Sequence, residues 1–326
     1  MQKSKLKSVR GIVTLTPNPA LDLGGAVDHL IPNEKSYVHD ETRFPGGNAI
    51  NAARMIHKMG LPVIAGGFLG GGIGQEVEDL LRSEGVPSEF VKISASTRIS
   101  VTVSNRKDHL QTRLSFPGPQ ILLHEVQELI RWLHRIQPGT VLVIGGSLPR
   151  GLTTARLKPV IQSLQKRGVA VIMDMPALHL RPLLVCRPLL IKPNQVEFQE
   201  LTGEKRKSIP AVISAARKLT SRVSWVCVSS VEDGALLLNR HRAWYGKIPP
   251  VQVKTTVGAG DSMVGAMTSI FSQVDPTLWS SDELGEPLLR WGLAAAAATL
   301  ITPGTQLGEF KKMLTFYRRI RIQELE

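Results

Sequence analysis

The stretch TTVGAGDSMVGAM, residues 255–267, collects the residue types that can handle a phosphoryl group. Gly258 and Gly260 carry no side chain, so the backbone there can take positive φ and approach a ligand closely. The segment DSMVGAM after them reads as the first turns of a helix. A glycine loop at a helix N-terminus presents free N–H groups, Ala259 included, at the positive end of the dipole, which together make an anion site. Asp261 lies within reach of the same anion, where a carboxylate can take a proton from an attacking hydroxyl. Taken alone, GAGD is as readily an N-cap aspartate behind a glycine turn. Its meaning depends on what the rest of the chain brings to it.

Short β-branched runs alternate with helical patterns along the chain. Residues 11–16, 61–67, 140–146, 169–175, 188–193 and 223–230 resemble buried strands. Between them, 48–59, 75–85, 123–135, 154–167 and 211–221 carry apolar residues near helical spacing. This order predicts an α/β fold, a mostly parallel sheet with helices on both faces. Ligands of such sheets bind beyond the carboxyl ends of the strands. The expected strand ends are polar: Asp22, Ser147, Asp174, Lys192 with Asn194, and Ser229 with Ser230. Each alone is an ordinary turn or cap residue, and their convergence on one edge points to a site.

Two segments break the alternation. In 97–116, Ile99, Val101 and Val103 alternate with polar residues, NRKD offers a turn, and Leu110, Leu114 and Phe116 resume the pattern. It reads as a hairpin with one apolar and one polar face. With the turn at 105–108, residue 104 pairs with 109 and 100 with 113, which sets Arg98 and Arg113 diagonally on the polar face. Two guanidiniums so placed can hold one phosphate, although arginines on a solvated edge face are the simpler reading of spacing alone. The polar segment 22–45 can add strands beside this hairpin, giving a small β sheet that projects as a lid from a single domain spanning 1–326.

Composition narrows the function classes. With 42% hydrophobic and 21% charged residues over 326 positions, the chain is globular. The net charge of +13 favours anionic ligands, yet the positive residues are dispersed and only 5% of residues are aromatic, so a small phosphorylated substrate accounts for the charge better than nucleic acid. No apolar run suits a membrane span or signal peptide after MQKSKLKSVR, so a cytoplasmic location and no membrane partner are expected. Cys186 and Cys227 are too few for a disulfide framework. No P-loop motif and no G-x-G-x-x-G after a strand occurs, and the eight histidines are scattered.

TLTPNPALD, PGGNAINAARMIHKMG (45–60), GGSLPRG, IKPNQVEFQEL and TTVGAGDSMVGAM, in this order and spacing, resemble the phosphofructokinase B branch of the ribokinase-like carbohydrate kinases. That branch contains 6-phosphofructokinase isozyme 2, 1-phosphofructokinase and tagatose-6-phosphate kinase, and the resemblance runs from about residue 11 to 307. It implies that Asp261 is the catalytic base and that the N–H groups of Gly258, Ala259 and Gly260 stabilise charge on the transferred phosphoryl group. It implies that Asp22, Gly46, Gly47, Asn51 and Ser147 contact the sugar and that Arg98 and Arg113 bind its existing phosphate. Lys192, Asn194, Glu197, Ser229, Gly234 and Thr256 are implied at the nucleotide, with Asn194 and Glu197 acting on Mg²⁺ through water. The helix GLAAAAATL is implied to pack beside the adenine.

The chain departs from the pattern at Val231, where many members have Gly, at Met175-Pro176-Ala177 in place of the usual Ser-Gly, and at Asn48. These changes border the sugar and nucleotide pockets. The expected activity is ATP- and Mg²⁺-dependent phosphorylation of a hydroxyl of a ketohexose phosphate, fructose 6-phosphate or fructose 1-phosphate foremost. A kinase for a neutral sugar or nucleoside, or a non-catalytic binding protein on the same scaffold, are the alternatives. A projecting lid has edges that a second copy would cover, so a homodimer through the lid is one allowed arrangement.

Overall fold

The computed structural model describes residues 11–108, 110–205 and 208–325, and the basic N-terminal stretch noted above lies outside them. The chain begins with β1 (Ile12–Thr16), β2 (Ala20–Val27), β3 (His39–Gly46), α1 (Asn48–Lys58), β4 (Val63–Gly70), α2 (Gly71–Ser83) and β5 (Ser88–Ile93). It continues through β6 (Arg98–Asn105), β7 (Gln111–Ser115), α3 (Leu123–Leu133), β8 (Val141–Gly145), α4 (Thr154–Lys166), β9 (Ala170–Asp174), α5 (Ala177–Leu183), β10 (Leu190–Ile191), α6 (Gln195–Thr202) and α7 (Ile209–Arg217). It ends with β11 (Trp225–Val231), β12 (Gly234–Leu238), β13 (Ala243–Lys247), α8 (Ala259–Phe271), α9 (Gly285–Leu300), α10 (Phe310–Arg319) and β14 (Ile322–Leu325).

Ten strands form one sheet in the order β14-β13-β12-β11-β10-β9-β8-β1-β4-β5. From β5 to β11 every pairing is parallel, as the alternation predicts, while β12, β13 and β14 add an antiparallel edge that the alternation does not announce. The pleat divides the core. Leu142, Ile144, Val171 and Met173 face the layer of α3 to α7, whereas Val141, Val143, Ala170 and Ile172 face α1, α8, α9 and α10. α2 closes the same side as α1 near β1 and β4. Both faces being covered, these strands read as continuous apolar runs.

The second sheet has the order β3-β2-β6-β7, so residues 22–45 do join the hairpin. The hairpin register differs from the expected one. Ser104 pairs with Gln111 and Ser100 with Ser115, so Arg113 stands opposite Thr102. The loop is longer because Asn105 and Asp108 hold it with their side chains: Asn105 accepts from the Lys107 N–H at 3.1 Å, and Asp108 accepts from the Leu110 N–H at 2.9 Å. A two-residue shift keeps every side chain on its expected face. It also separates Arg98 from Arg113 by ~13 Å along the strand, at about 3.3 Å per residue, so they are no longer diagonal neighbours.

Close approach of α1 and α8 sets up the site. A Cβ on Gly265 would fall 2.7 Å from the Ala52 carbonyl oxygen. The small residues of GAGDSMVGAM therefore let the start of α8 lie against Asn51 of α1.

Candidate active site

A cleft of about 1150 Å³ opens beyond the carboxyl ends of the parallel strands, and residues of the small sheet line part of it. β1 lies between β4 and β8, so successive crossovers leave in opposite directions on either side of it, which is where open α/β sheets bind ligands.

Gly258 is the N-cap of α8 with φ 78°, a conformation that glycine takes without strain, and no side chain caps the helix. The N–H groups of its first turn are thus left to a ligand. Asp261 lies in that turn and accepts a 2.8 Å hydrogen bond from Asn51 Nδ2. Burial pushes the Asp261 carboxyl up to about 7, and Asp174 and Asp22 push the same way, against the Asn51 hydrogen bond and Lys192. A carboxylate poised near neutrality suits proton abstraction at physiological pH.

Asp22 sits on β2 opposite Ser100 of β6, with Arg98 two residues along β6 to one side and Thr102, which pairs with Arg113, two residues to the other. Burial pushes its carboxyl up to about 6, against the pull of Arg113, Arg54 and Arg98. Arg98 is anchored, donating to the Asn18 carbonyl at 3.1 and 3.3 Å. Arg113 is exposed and has no hydrogen-bond partner among the described residues. One arginine is thus fixed and the other free to reach.

Lys192 and Asp174 form a 3.3 Å ion pair, both nearly inaccessible to solvent. Burial works against the Lys192 charge, yet Asp174, Glu197 and Asp261 together raise its pKa above the usual lysine value. Asp174 also accepts from Asn48 Nδ2 at 3.3 Å. Asn194 and Glu197 cap α6 reciprocally: Asn194 Oδ1 accepts from the Glu197 N–H at 2.9 Å, and Glu197 Oε2 from the Asn194 N–H at 2.8 Å. Among the described residues no group of three or more His, Cys, Asp or Glu could cage a metal ion. The oxygen donors present suit Mg²⁺ that arrives with nucleotide phosphates and keeps its waters, since Mg²⁺ dehydrates reluctantly.

Of the residues expected at the site, Asp22, Gly47, Asn51, Arg98, Arg113, Ser147, Lys192, Asn194, Glu197, Ser229, Gly234, Thr256, Gly258, Ala259, Gly260 and Asp261 all border the cleft. Gly46 does not. It backs Asp22, with space for a Cβ only 2.4 Å from the carboxylate. Val231 turns its side chain fully into the core, so this departure leaves the cleft wall to Ser229, Ser230, Asp233 and Gly234. Leu293, Ala296 and Leu300 of α9 line the cleft.

Three participants carry no role in the sequence reading. Asp174 is visible there only as a polar strand end. Asn18 bonds both Ser147, through its Nδ2 at 3.0 Å, and Arg98. Arg54 donates to Asn51 Oδ1 at 3.0 Å from a fully buried position. Its one signal in the sequence is a charge on the apolar face of α1, three residues after Asn51.

A layered, mostly parallel sheet with a second sheet beside its carboxyl edge and a glycine-loop helix in the cleft defines a ribokinase-like kinase scaffold. Residues 19–312 match the model of the pfkB family of carbohydrate kinases, and the chain belongs to that family. The crystal structure of phosphofructokinase-2 from Escherichia coli in complex with substrates and products superposes with a TM-score of 0.88 at 32% identity, over 95% of this chain and 99% of that one. ATP-dependent 6-phosphofructokinase isozyme 2 of Mycobacterium tuberculosis is 34% identical over 297 residues, 90% of this chain and 85% of the relative. 1-Phosphofructokinase of Vibrio cholerae is 28% identical over 318 residues, 96% and 97% of the two chains. The chain is an enzyme of the phosphofructokinase type, a phosphotransferase with an alcohol group as acceptor. No helix among the described residues is long and apolar enough to cross a membrane.

Proposed function

We propose that the protein is a cytoplasmic ATP-dependent kinase that transfers the γ-phosphoryl group to a hydroxyl of a ketohexose phosphate, fructose 6-phosphate or fructose 1-phosphate foremost. The observation that carries this reading is one cleft holding a buried Asp261 at a glycine-loop helix start and an Asp22 flanked along its sheet by Arg98 and Arg113. An aspartate between arginines fits a substrate with both hydroxyls and a phosphate. A neutral sugar or nucleoside has no use for the arginines.

In this reading Asp22 accepts hydrogen bonds from sugar hydroxyls while Arg98 and Arg113 pair with the phosphate already present. Asn51, Gly47 and Ser147 complete the sugar wall. Asp261 takes the proton of the attacking hydroxyl as its oxygen bonds to phosphorus and the bond to ADP breaks in line, with no covalent intermediate on the enzyme. The N–H groups from Gly258 to Gly260, with Lys192, hold the charge on the transferred group. Ser229, Gly234 and Thr256 border the nucleotide. Asn194 and Glu197 are the residues that would hold Mg²⁺ through water, and the ion would supply further charge neutralisation at the nucleotide. The small sheet acts as the lid, and its outward Leu114 and Phe116, both more than half exposed, suit burial against a second copy.

The test is ADP release with Mg-ATP across fructose 6-phosphate, fructose 1-phosphate, tagatose 6-phosphate, fructose and ribose. Preference for one phosphosugar supports the reading and names the substrate. Turnover of a neutral sugar alone removes the phosphate clamp. No ADP from any of them, with salt-sensitive nucleic-acid binding, supports a non-catalytic role.

A further inference from the structure

Arg54 is 2% exposed on a helix face otherwise given to Ile50, Ala53 and Ile56. All three nitrogens of its guanidinium are engaged. Nε and Nη2 donate to the two carboxylate oxygens of Glu84, each at 2.7 Å, and Nη1 donates to Asn51 Oδ1 at 3.0 Å and to the Pro45 carbonyl at 3.4 Å. The guanidinium also packs over the Phe44 ring, 5.4 Å from its centroid. Asn51, itself 3% exposed, donates from Nδ2 to Asp261 Oδ2 at 2.8 Å. A continuous chain thus runs Glu84–Arg54–Asn51–Asp261.

The direction of this chain is forced. A guanidinium only donates, so Asn51 must turn its carbonyl oxygen to Arg54, which leaves its NH₂ for Asp261. Burying a guanidinium carries a desolvation cost that an apolar side chain does not, so packing alone gives no reason for an arginine here. We propose that Arg54 is a positioning residue of the transfer reaction: anchored by Glu84, it fixes the Asn51 amide so that it donates to the Asp261 carboxylate. The proposal rests on Asp261 being the base. Because Phe44 and Pro45 belong to β3, the same guanidinium ties the small sheet to the orientation of that amide.

Asp261 is faced by Asn51 from α1, Asp174 at the end of β9, Lys192 after β10 and Asp22 from β2. Of these, Asn51 and Lys192 favour its ionised form. With Arg54 gone, Asn51 can flip and present its oxygen instead, and the proton on Asp261 is held to higher pH.

The experiment measures the acid limb of kcat against pH and, without substrate, the ¹³C NMR titration of the Asp261 carboxyl, assigned with Asp261→Asn. Arg54→Met is expected to move both upward by about one pH unit, with the apparent KM for ATP within about twofold. In an Asn51→Ala background the same substitution adds no further shift, because Arg54 acts through that amide. Arg54→Lys recovers part of the shift. Coincident titrations of wild type and Arg54→Met, or an undiminished shift in the Asn51→Ala background, overturn the proposal. Should Arg54→Met fail to fold, Glu84→Gln keeps the guanidinium and loosens its anchor; a smaller upward shift supports the proposal and an unchanged titration overturns it. If wild type releases no ADP with any phosphosugar, the kinase reading falls, while the NMR titration still decides the role of Arg54.

Discussion

Lys192 Nζ and Asp174 Oδ1 stand 3.3 Å apart at the ends of neighbouring strands, with 5% and 7% of their side chains exposed. The glycine loop lies on this pair: a Cβ on Gly260 would come within 3.1 Å of Lys192 Nζ. A cation is thus held under the helix start where a transferred phosphoryl group is proposed to sit, and neighbouring carboxyl groups, Asp174 foremost, favour its charged form. Lys192→Met leaves Asp174 buried without a counter-charge. It should cost about 3–5 kcal/mol of stability, read by chemical denaturation, together with most of the turnover.

Asp261→Ala should lower kcat by about 10²–10⁴-fold, the usual contribution of a positioned base, while ATP still binds by calorimetry. Near-normal turnover in this variant would remove Asp261 from the role of base. In the wild type, kcat should fall as pH drops through about 7, where burial places the carboxyl.

The same raised pKa bears on stability, with a definite sign. The Asp261 contribution is complete below the unfolded value of 3.8 and is lost as pH rises to about 7. Asp261→Asn removes this loss, so it should be more stable than wild type at pH 8. The gain should shrink steadily below pH 7. Equal denaturation midpoints for the two proteins at pH 8 would show that the carboxylate is not penalised by burial.

Arg113→Ala should raise the apparent KM for the preferred phosphosugar about 10- to 100-fold, the worth of one or two charge-assisted hydrogen bonds. Its exposure makes loss of folding an unimportant complication. Any slow turnover of unphosphorylated fructose should stay unchanged in steady-state assays, because the neutral sugar offers Arg113 nothing to bind.

Gly46→Ala places a methyl group 2.4 Å from the Asp22 carboxylate, which must swing aside. The expected result is a rise of at least about tenfold in sugar KM, corresponding to roughly 1–3 kcal/mol of overpacking strain, with the KM for ATP unmoved. Kinetics with each substrate varied in turn separate the two.

Much of the site was legible because its signals are local. A glycine with positive φ, a helix start and an acidic first turn are neighbours in the chain, and buried parallel strands show themselves as apolar runs whose polar ends meet at one edge. The hairpin faces were legible for the same reason, since alternation survives a two-residue slip. Its register was not, because the loop length depends on bonds from Asn105 and Asp108 to the backbone that spacing does not reveal. Arg54 was missed because an arginine in a helix normally faces water, and the Glu84 that allows it inside lies thirty residues further on. Asp174 had no role until β9 and β10 were seen side by side.

The sequence by itself determined the α/β class, the glycine-loop start of α8 and the polar residues at the strand ends, all consequences of short-range backbone geometry and hydrophobic periodicity. Only the tertiary structure decided which groups meet and which carboxyls are pushed up by burial. Those depend on burial and on charges brought together from residues as far apart as Asp22, Asp174 and Asp261, and electrostatics in a dry cleft is set by distance in space.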